Sequence, residues 1–270
     1  MSKRRIPVRF TGQHFTVDRK LILKAIRLAN ISPNDTVLDI GAGKGFLTVH
    51  LAGLCHKTLA IENDLSLVKF LRQRFLKTPK VSVVGCDFRD FMFPAGKFKV
   101  VANIPYGISA EVLRSLMYEQ AGKFIEGTIV MQHEAALKLC NKTMHNPLVA
   151  LYRSFYKINI IGEVSPESFV PPPRVKSALV HLKSSPESGI PVYRKKAYLN
   201  FLTFMLQKPE LPVKMVLKQL FRKTQVRQLA RKHLIDLTKP THLMHPKEFS
   251  ACFREMDQIV PKKYHPGRRI

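Results

Sequence analysis

Thr36-Val37-Leu38-Asp39-Ile40-Gly41-Ala42-Gly43-Lys44-Gly45 reads as a short buried strand running into a glycine turn, and a helical pattern follows from Phe46 to Leu54. Three alternate glycines let the backbone approach a ligand closely, and a helix start supplies free N–H groups and positive potential for an anion. The same device holds either a dinucleotide pyrophosphate or the carboxylate of S-adenosylmethionine. Phe46 stands where a dinucleotide fingerprint often needs its third glycine, which weighs against a nicotinamide cofactor. Downstream, Lys57-Thr58-Leu59-Ala60-Ile61 ends in Glu62, a carboxylate at a strand end placed to take both hydroxyls of a ribose; by itself it serves either cofactor. The next apolar run, Val81 to Gly85, ends in Cys86-Asp87-Phe88. Asp87 is either an acceptor for the amino group of a cofactor adenine or a helix cap, and Phe88 either a stacking face or core.

Further along, Phe98-Lys99-Val100-Val101-Ala102 leads into Asn103-Ile104-Pro105-Tyr106. This tetrapeptide fits methylation of an exocyclic amine. The lone pair of an adenine amino nitrogen is delocalised into the ring, so a catalyst gains by accepting hydrogen bonds from both N6 hydrogens. The Asn103 carboxamide oxygen accepts one and the Ile104 carbonyl the other. Pro105 stiffens the turn that aims both acceptors, and Tyr106 offers a ring for base stacking. Alone, these four residues are ordinary turn chemistry after a strand. After the glycine turn and Glu62, they point to an adenine N6-methyltransferase.

With Asp39 to Gly45, Glu62, Asp87 and Asn103 to Tyr106 in this order, the sequence resembles the rRNA adenine N6-dimethyltransferases, and most nearly their erythromycin-resistance, or Erm, branch. Gly12-Gln13-His14-Phe15-Thr16, Pro166-Glu167-Ser168-Phe169-Val170-Pro171-Pro172-Pro173 and Val175-Lys176-Ser177-Ala178-Leu179 extend the likeness. The resemblance implies that His14, Thr16, Asp39, Gly41, Gly43, Glu62, Asp87, Phe88 and Asn103 bind S-adenosyl-L-methionine. His14 stands where Asn is usual, and Asp39 where many relatives carry Glu, one methylene longer. It further implies that Asn103, Ile104, Tyr106 and Phe169 are catalytic, with Phe169 stacking on the target adenine opposite Tyr106. From the residues alone, Phe169 reads equally as a core side chain at a strand end.

The implied reaction moves the sulfonium methyl directly to N6 of a flipped-out adenine, with no metal, covalent enzyme intermediate or strong general base required. The implied partner is 23S rRNA before or during large-subunit assembly, with resistance to macrolides, lincosamides and streptogramin B as the consequence. Two alternatives share these motifs: a housekeeping dimethyltransferase of 16S rRNA, and a catalytically inactive RNA-binding ribosome-assembly factor of the same fold. A nicotinamide oxidoreductase leaves Asn103 to Tyr106 and Phe169 unexplained.

Composition fits a polyanionic partner. The 270-residue chain has 45 Lys and Arg against 19 Asp and Glu, a net charge of +26. From Ser184 onward there are 18 basic residues against 6 acidic ones, and before it 27 against 13, so basicity is spread over the chain. Arg4, Arg5 and Arg9, with Lys195, Lys196, Arg222, Lys223, Arg227, Arg231 and Lys232, are candidates to neutralise phosphates. Cys55, Cys86, Cys140 and Cys252 are far apart and form neither a zinc nor a disulfide pattern, which predicts a reducing, cytoplasmic setting. No apolar segment suits a signal peptide or a membrane span, and nothing demands more than a monomer.

Strand and helix patterns alternate up to Gln132, predicting an α/β fold, a doubly wound Rossmann-like sheet of the S-adenosylmethionine-dependent methyltransferase kind. Leu21, Ile22, Ala25, Ile26 and Ala29 form the apolar stripe of a first helix, with Asp18 as its cap. Lys157–Ile161 and Ser177–Leu182 are expected to pair as antiparallel edge strands. The breakers from Ser184 to Pro191 place a boundary between a catalytic domain at 1–185 and a small, basic, helical RNA-binding domain at 186–270. In the latter, Tyr198, Phe201, Leu202, Met205 and Leu206, and then Val213, Val216, Leu217, Leu220 and Phe221, fall at helical spacing.

Overall fold

In the computed structural model residues 15–267 are described, so His14 and Arg4, Arg5 and Arg9 lie outside the described residues. In chain order the main elements are β1 (Phe15–Thr16), α1 (Arg19–Leu28), β2 (Thr36–Ile40), α2 (Phe46–Ala52), β3 (Lys57–Glu62), α3 (Leu65–Arg74), β4 (Val81–Gly85) and β5 (Phe98–Asn103). There follow α4 (Ser109–Arg114), β6 (Phe124–Gln132), α5 (His133–Cys140), α6 (Pro147–Phe155), β7 (Tyr156–Val164), β8 (Phe169–Val170) and β9 (Ser177–Ser184). Four helices end the chain: α7 (Lys195–Met205), α8 (Val213–Leu217), α9 (Lys223–His233) and α10 (Pro246–Ile259).

Seven strands form one sheet in the order β4-β3-β2-β5-β6-β9-β7, and β1 with β8 makes a separate two-stranded ribbon. β2 runs parallel to both β3 and β5, and β3 parallel to β4. The central strands are apolar on both faces because helices cover both: Val37, Leu38, Ile40, Val100 and Val101 are all at most 1% exposed. The sequence order reverses beside β2, where β3 lies on one side and β5 on the other, so the ends of β2, β3 and β5 open onto the crevice where such sheets bind ligands.

β7 and β9 are neighbours, and the ion pairs Lys176–Glu163 (3.2 Å) and Lys157–Glu187 show them running in opposite directions. Of these two only β7 is an edge strand; β9 sits between β6 and β7, contrary to the expectation that both are edges. The burial patterns give the reason: the start of β9 is buried residue after residue from Ser177 to Val180, whereas β7 is partly exposed along most of its length.

The described residues form two compact units that interleave along the chain. The first contains the residues up to Val112 together with Gly127–Ala135 and Ile161–Val180; the second contains Leu113–Glu126, Ala136–Ile160 and the residues from His181 on. In the first unit, α1 buries Leu21, Ile22, Ala25 and Ile26 in a core with Val37, Val101, Val130 and Leu179. The Asp18 carboxylate caps it, accepting from the N–H groups of Lys20 (2.8 Å) and Leu21 (3.2 Å). In the second unit, Tyr198, Phe201, Leu202 and Met205 on α7 are fully buried, and Tyr198 and Phe201 pack against Phe253 of α10. The second apolar stripe is shorter than its spacing predicts: α8 stops at Leu217, with Leu220 and Phe221 beyond it. Among the described residues no strand follows β9, and no helix is long and apolar enough to cross a membrane.

Candidate functional site

The site is built in the first unit, where β2, β3 and β5 end. Gly41, Gly43 and Gly45 all have positive φ (72°, 56° and 75°), a conformation L side chains rarely adopt. The N–H groups of Gly41 and Ala42 both donate to the Ile61 carbonyl, at 2.9 and 3.0 Å, which folds the turn back over β3. Glu62 completes the lock. Its Oε2 accepts the Gly43 N–H at 2.8 Å, and its Oε1 accepts those of Asn63 (2.8 Å) and Asp64 (2.9 Å). A carboxylate expected to meet a ribose thus also positions the glycine turn. Gly45 has a packing role of its own, since a Cβ there would lie 2.8 Å from the Leu71 Cδ2 and 2.9 Å from the Phe75 ring.

Asp39, on β2, is 1% exposed. Its Oδ2 accepts the Thr48 hydroxyl at 2.6 Å, while its Oδ1 has no hydrogen-bond partner. Burial, with the nearby Glu62 carboxylate, pushes its pKa up to about 7 against the opposing Thr48 bond. Among the described residues three buried side-chain polar atoms lack a partner, and two of them are Asp39 Oδ1 and Thr16 Oγ1. An unpaired buried polar group costs about 1–3 kcal/mol. That cost is understandable where a ligand completes the bonding, and both residues belong to the set expected to bind S-adenosylmethionine. The chain's residues therefore fit that cofactor: a left-handed glycine turn for close approach, a buried carboxyl group that a cationic partner would ionise, and a strand-end carboxylate.

Asp87 and Phe88 both have structural partners that leave their cofactor roles open. Asp87 caps a short 3-10 turn, accepting the Arg89 N–H at 2.9 Å, and its carboxylate is gripped by the Arg89 guanidinium. Phe88 is 5% exposed and packs edge-on against Phe93 at 5.7 Å.

The tetrapeptide Asn103 to Tyr106 meets the glycine turn directly. A Cβ on Gly41 would lie 3.1 Å from Pro105 Cδ and 3.6 Å from the Asn103 carbonyl oxygen. Ile104 is 1% exposed, and its N–H donates to the Val130 carbonyl at 3.1 Å, which leaves the turn no freedom to swing. Pro105 at φ −58° starts a 3-10 turn over Tyr106–Ile108, and its carbonyl accepts the Ile108 N–H. The Tyr106 hydroxyl lies 2.6 Å from Ser177 Oγ at the start of β9, and burial raises its pKa against that bond.

Phe169 is 1% exposed and belongs to the core beneath α1. In this conformation it offers no face to a base and fills the role of a core phenylalanine at a strand end. The ribbon containing it pairs Thr16 with Phe169, and Val17 N–H donates to the Ser168 carbonyl at 2.9 Å while Ser168 Oγ donates to Asp18 at 3.1 Å. The segment before α1 is thereby stitched to the segment carrying Phe169.

Sequence reasoning missed Thr48, Ser177 and Ser168. Thr48 sits one turn into the helix after the glycines, a position from which a hydroxyl reaches back to the preceding strand. Ser177 and Ser168 lie 71 and 150 residues from their partners and left no local signal. In the second unit, two of the candidate phosphate-binding cations are engaged. Lys195 Nζ donates to the carbonyls of Tyr118 (2.6 Å) and Glu119 (2.9 Å), and Lys232 pairs with Glu255 at 2.6 Å. Lys196, Arg222, Lys223, Arg227 and Arg231 are exposed.

Comparison with known proteins matches residues 8–258 to the family described as "Ribosomal RNA adenine dimethylase". The chain belongs to that family. An rRNA adenine N-6-methyltransferase of Bacteroides fragilis is 49% identical over 267 residues, 99% of this chain and all of the relative. A "Ribosomal RNA small subunit methyltransferase A" of Chlorobium chlorochromatii (strain CaD3) is 35% identical over 63% of this chain and 66% of its own length. The crystal structure of the 23S rRNA methyltransferase ErmE superposes with a TM-score of 0.78, covering 90% of this chain and all of that one at 24% identity, and so establishes the shared fold. A dimethyladenosine transferase from Plasmodium falciparum does likewise, with a TM-score of 0.75 over 91% of this chain and 98% of its own at 22% identity. The rRNA adenine dimethylase fold is a Rossmann-like methyltransferase sheet, as the alternation of elements predicts.

Proposed function

We propose that this chain transfers methyl groups from S-adenosylmethionine to N6 of one adenine in 23S rRNA, conferring resistance to macrolides, lincosamides and streptogramin B. The observation that carries the reading is the packing of Gly41 against Pro105, which brings the cofactor turn and the acceptor turn within van der Waals reach. Donor and acceptor sites at such separation suit direct transfer, because positioning alone supplies much of the acceleration.

Thr16, Asp39, Gly41, Gly43, Glu62, Asp87 and Phe88 would hold the cofactor, with His14 added from its place in the sequence. Bound there, it supplies an electrophilic methyl group on a sulfonium. Asn103 and the Ile104 carbonyl accept the two N6 hydrogens and return electron density to the nitrogen. Tyr106 stacks on the extruded base, with its ring held through Ser177. Phe169 takes the other face after the β1–β8 ribbon shifts, since in the present conformation its ring is buried. The N6 proton leaves to water late, so no strong base is assigned.

The separation from the small-subunit branch is supported by the relatives: likeness to the Bacteroides rRNA adenine N-6-methyltransferase spans the whole chain, while likeness to the small-subunit enzyme covers 63% of it. Residues 1–185 are assigned to catalysis and 186–270 to RNA. Lys223, Arg227 and Arg231 stand four residues apart along α9, on one exposed face suited to a phosphate backbone. The protein acts as a cytoplasmic monomer on rRNA before or during assembly of the large subunit.

The test is transfer of labelled methyl groups to protein-free 23S and 16S rRNA offered separately, with the labelled nucleotide mapped. Label on one 23S adenine is expected. Label on 16S alone moves the chain to the housekeeping branch, and label on neither leaves an RNA-binding factor.

A further inference from the structure

His145, Glu210 and His242 come from three distant parts of the sequence and meet in the second unit. One ligand atom from each lies within 4.8 Å of the other two. The backbone holds the three segments together: the Met144 N–H donates to the His242 carbonyl at 2.7 Å, and the His242 N–H to the Pro209 carbonyl at 3.0 Å. Each candidate ligand is thus part of, or next to, a residue in this backbone cross-link. The floor beneath is firm, because Met144 and Thr241 are at most 1% exposed and both the N–H and the hydroxyl of Thr241 donate to the Leu211 carbonyl.

The ring of His242 has a defined orientation. Its Nδ1 lies 2.9 Å from the Pro209 carbonyl oxygen, which can only accept. Nδ1 therefore carries the proton and Nε2 the lone pair, the arrangement by which ligating histidines are typically oriented. The His145 ring stacks on it with centroids 4.7 Å apart, and the Glu210 carboxylate comes to 3.4 Å from the same Nδ1, so its exposed side chain has to turn to meet an ion held on Nε2. His145 and Glu210 are exposed, so an ion reaches them directly and both side chains can turn to close around it.

We infer that His145, Glu210 and His242 bind a borderline divalent metal ion, zinc above all, which clips together the segment before α6, the segment after α7 and the segment before α10. Two imidazoles and one carboxylate are a nitrogen-rich set that suits zinc and its neighbours, whereas magnesium and calcium call for oxygen throughout. Three protein ligands leave a fourth position to water. The clip is independent of methyl transfer, since none of its residues belongs to the site in the first unit.

The full chain, stripped with chelator, would be titrated with Zn²⁺ by calorimetry and with Co²⁺ by visible absorption. One saturable site is expected, with a rise in Tm on adding Zn²⁺. His145→Ala and Glu210→Gln, both exposed and so tolerable to the fold, should each weaken binding at least about tenfold and abolish the Tm rise. His56→Ala, an exposed histidine of the first unit, should change neither. The absence of saturable binding, binding unaltered by both substitutions, or an equal response to Mg²⁺ overturns the assignment.

Discussion

At the ends of β2 and β3, three backbone N–H groups already grip the Glu62 carboxylate and the Thr48 hydroxyl grips Asp39, whereas at the target end one of the two expected base-stacking rings, Phe169, lies in the core. The cofactor half is thus assembled before anything binds, apart from the two buried oxygens of Asp39 and Thr16 that await partners. In the target half only the Asn103-to-Tyr106 turn is set, braced by Gly41, Val130 and Ser177. A small cofactor contributes little energy for reorganisation, while a basic protein gains a large electrostatic return from a polyanion and can use it to open a packed segment.

The sharpest break between the halves is Asn103→Ala. Transfer should fall by about a hundred- to a thousandfold, because a group aimed at developing charge is lost, while cofactor affinity stays within a few-fold. Equal loss of both, measured by single-turnover transfer and by calorimetry, would merge the halves into one site. Tyr106→Ala comes next, removing a stacking surface that contributes about 1–3 kcal/mol per base, so transfer to rRNA should drop roughly ten- to hundredfold with cofactor binding unchanged.

Asp39→Asn tests the other half, and its effect on stability has a definite sign. The folded-state pKa of about 7 lies above the ordinary value of 3.8. Folding therefore takes up a proton between these values, and the group's stabilising contribution, complete below the unfolded value, is lost as pH rises through 7. Without cofactor, Asp39→Asn should be more stable than the parent, with a higher Tm, by a free-energy margin that widens from pH 5 to pH 8 and is limited to roughly 4 kcal/mol by the size of the shift. With cofactor the order should reverse, because a cationic partner stabilises the carboxylate. A Tm difference that is flat with pH would remove Asp39 from the site. The smallest effect is expected of Ser177→Ala, about fivefold in transfer from the loss of one hydrogen bond. Combined with Tyr106→Phe it should add nothing, since each change breaks the same contact; additive losses would show that Ser177 acts elsewhere.

The same division marks what the sequence makes legible. The glycine turn, Asp39, Glu62 and Asn103 to Tyr106 stand out because each is a local pattern whose chemistry depends on neighbouring residues. Phe169 could not be placed: a two-residue strand has no periodicity to choose a face, and only the pairing with Thr16 turns it inward. The position of β9 inside the sheet depends on β6, 53 residues earlier at its start, and its burial looks the same in sequence as that of an edge strand. Lys195 reads as a phosphate ligand from charge alone, yet two carbonyls near the start of its own unit claim it.

The account stands on the claim that Asn103 and Ile104 serve an exocyclic amine. Digesting rRNA labelled by the purified chain to nucleosides and resolving them by mass tests it most directly. Label in N6-methyladenosine and N6,N6-dimethyladenosine is the predicted result; label in 5-methylcytidine or on a ribose 2′-oxygen would contradict it.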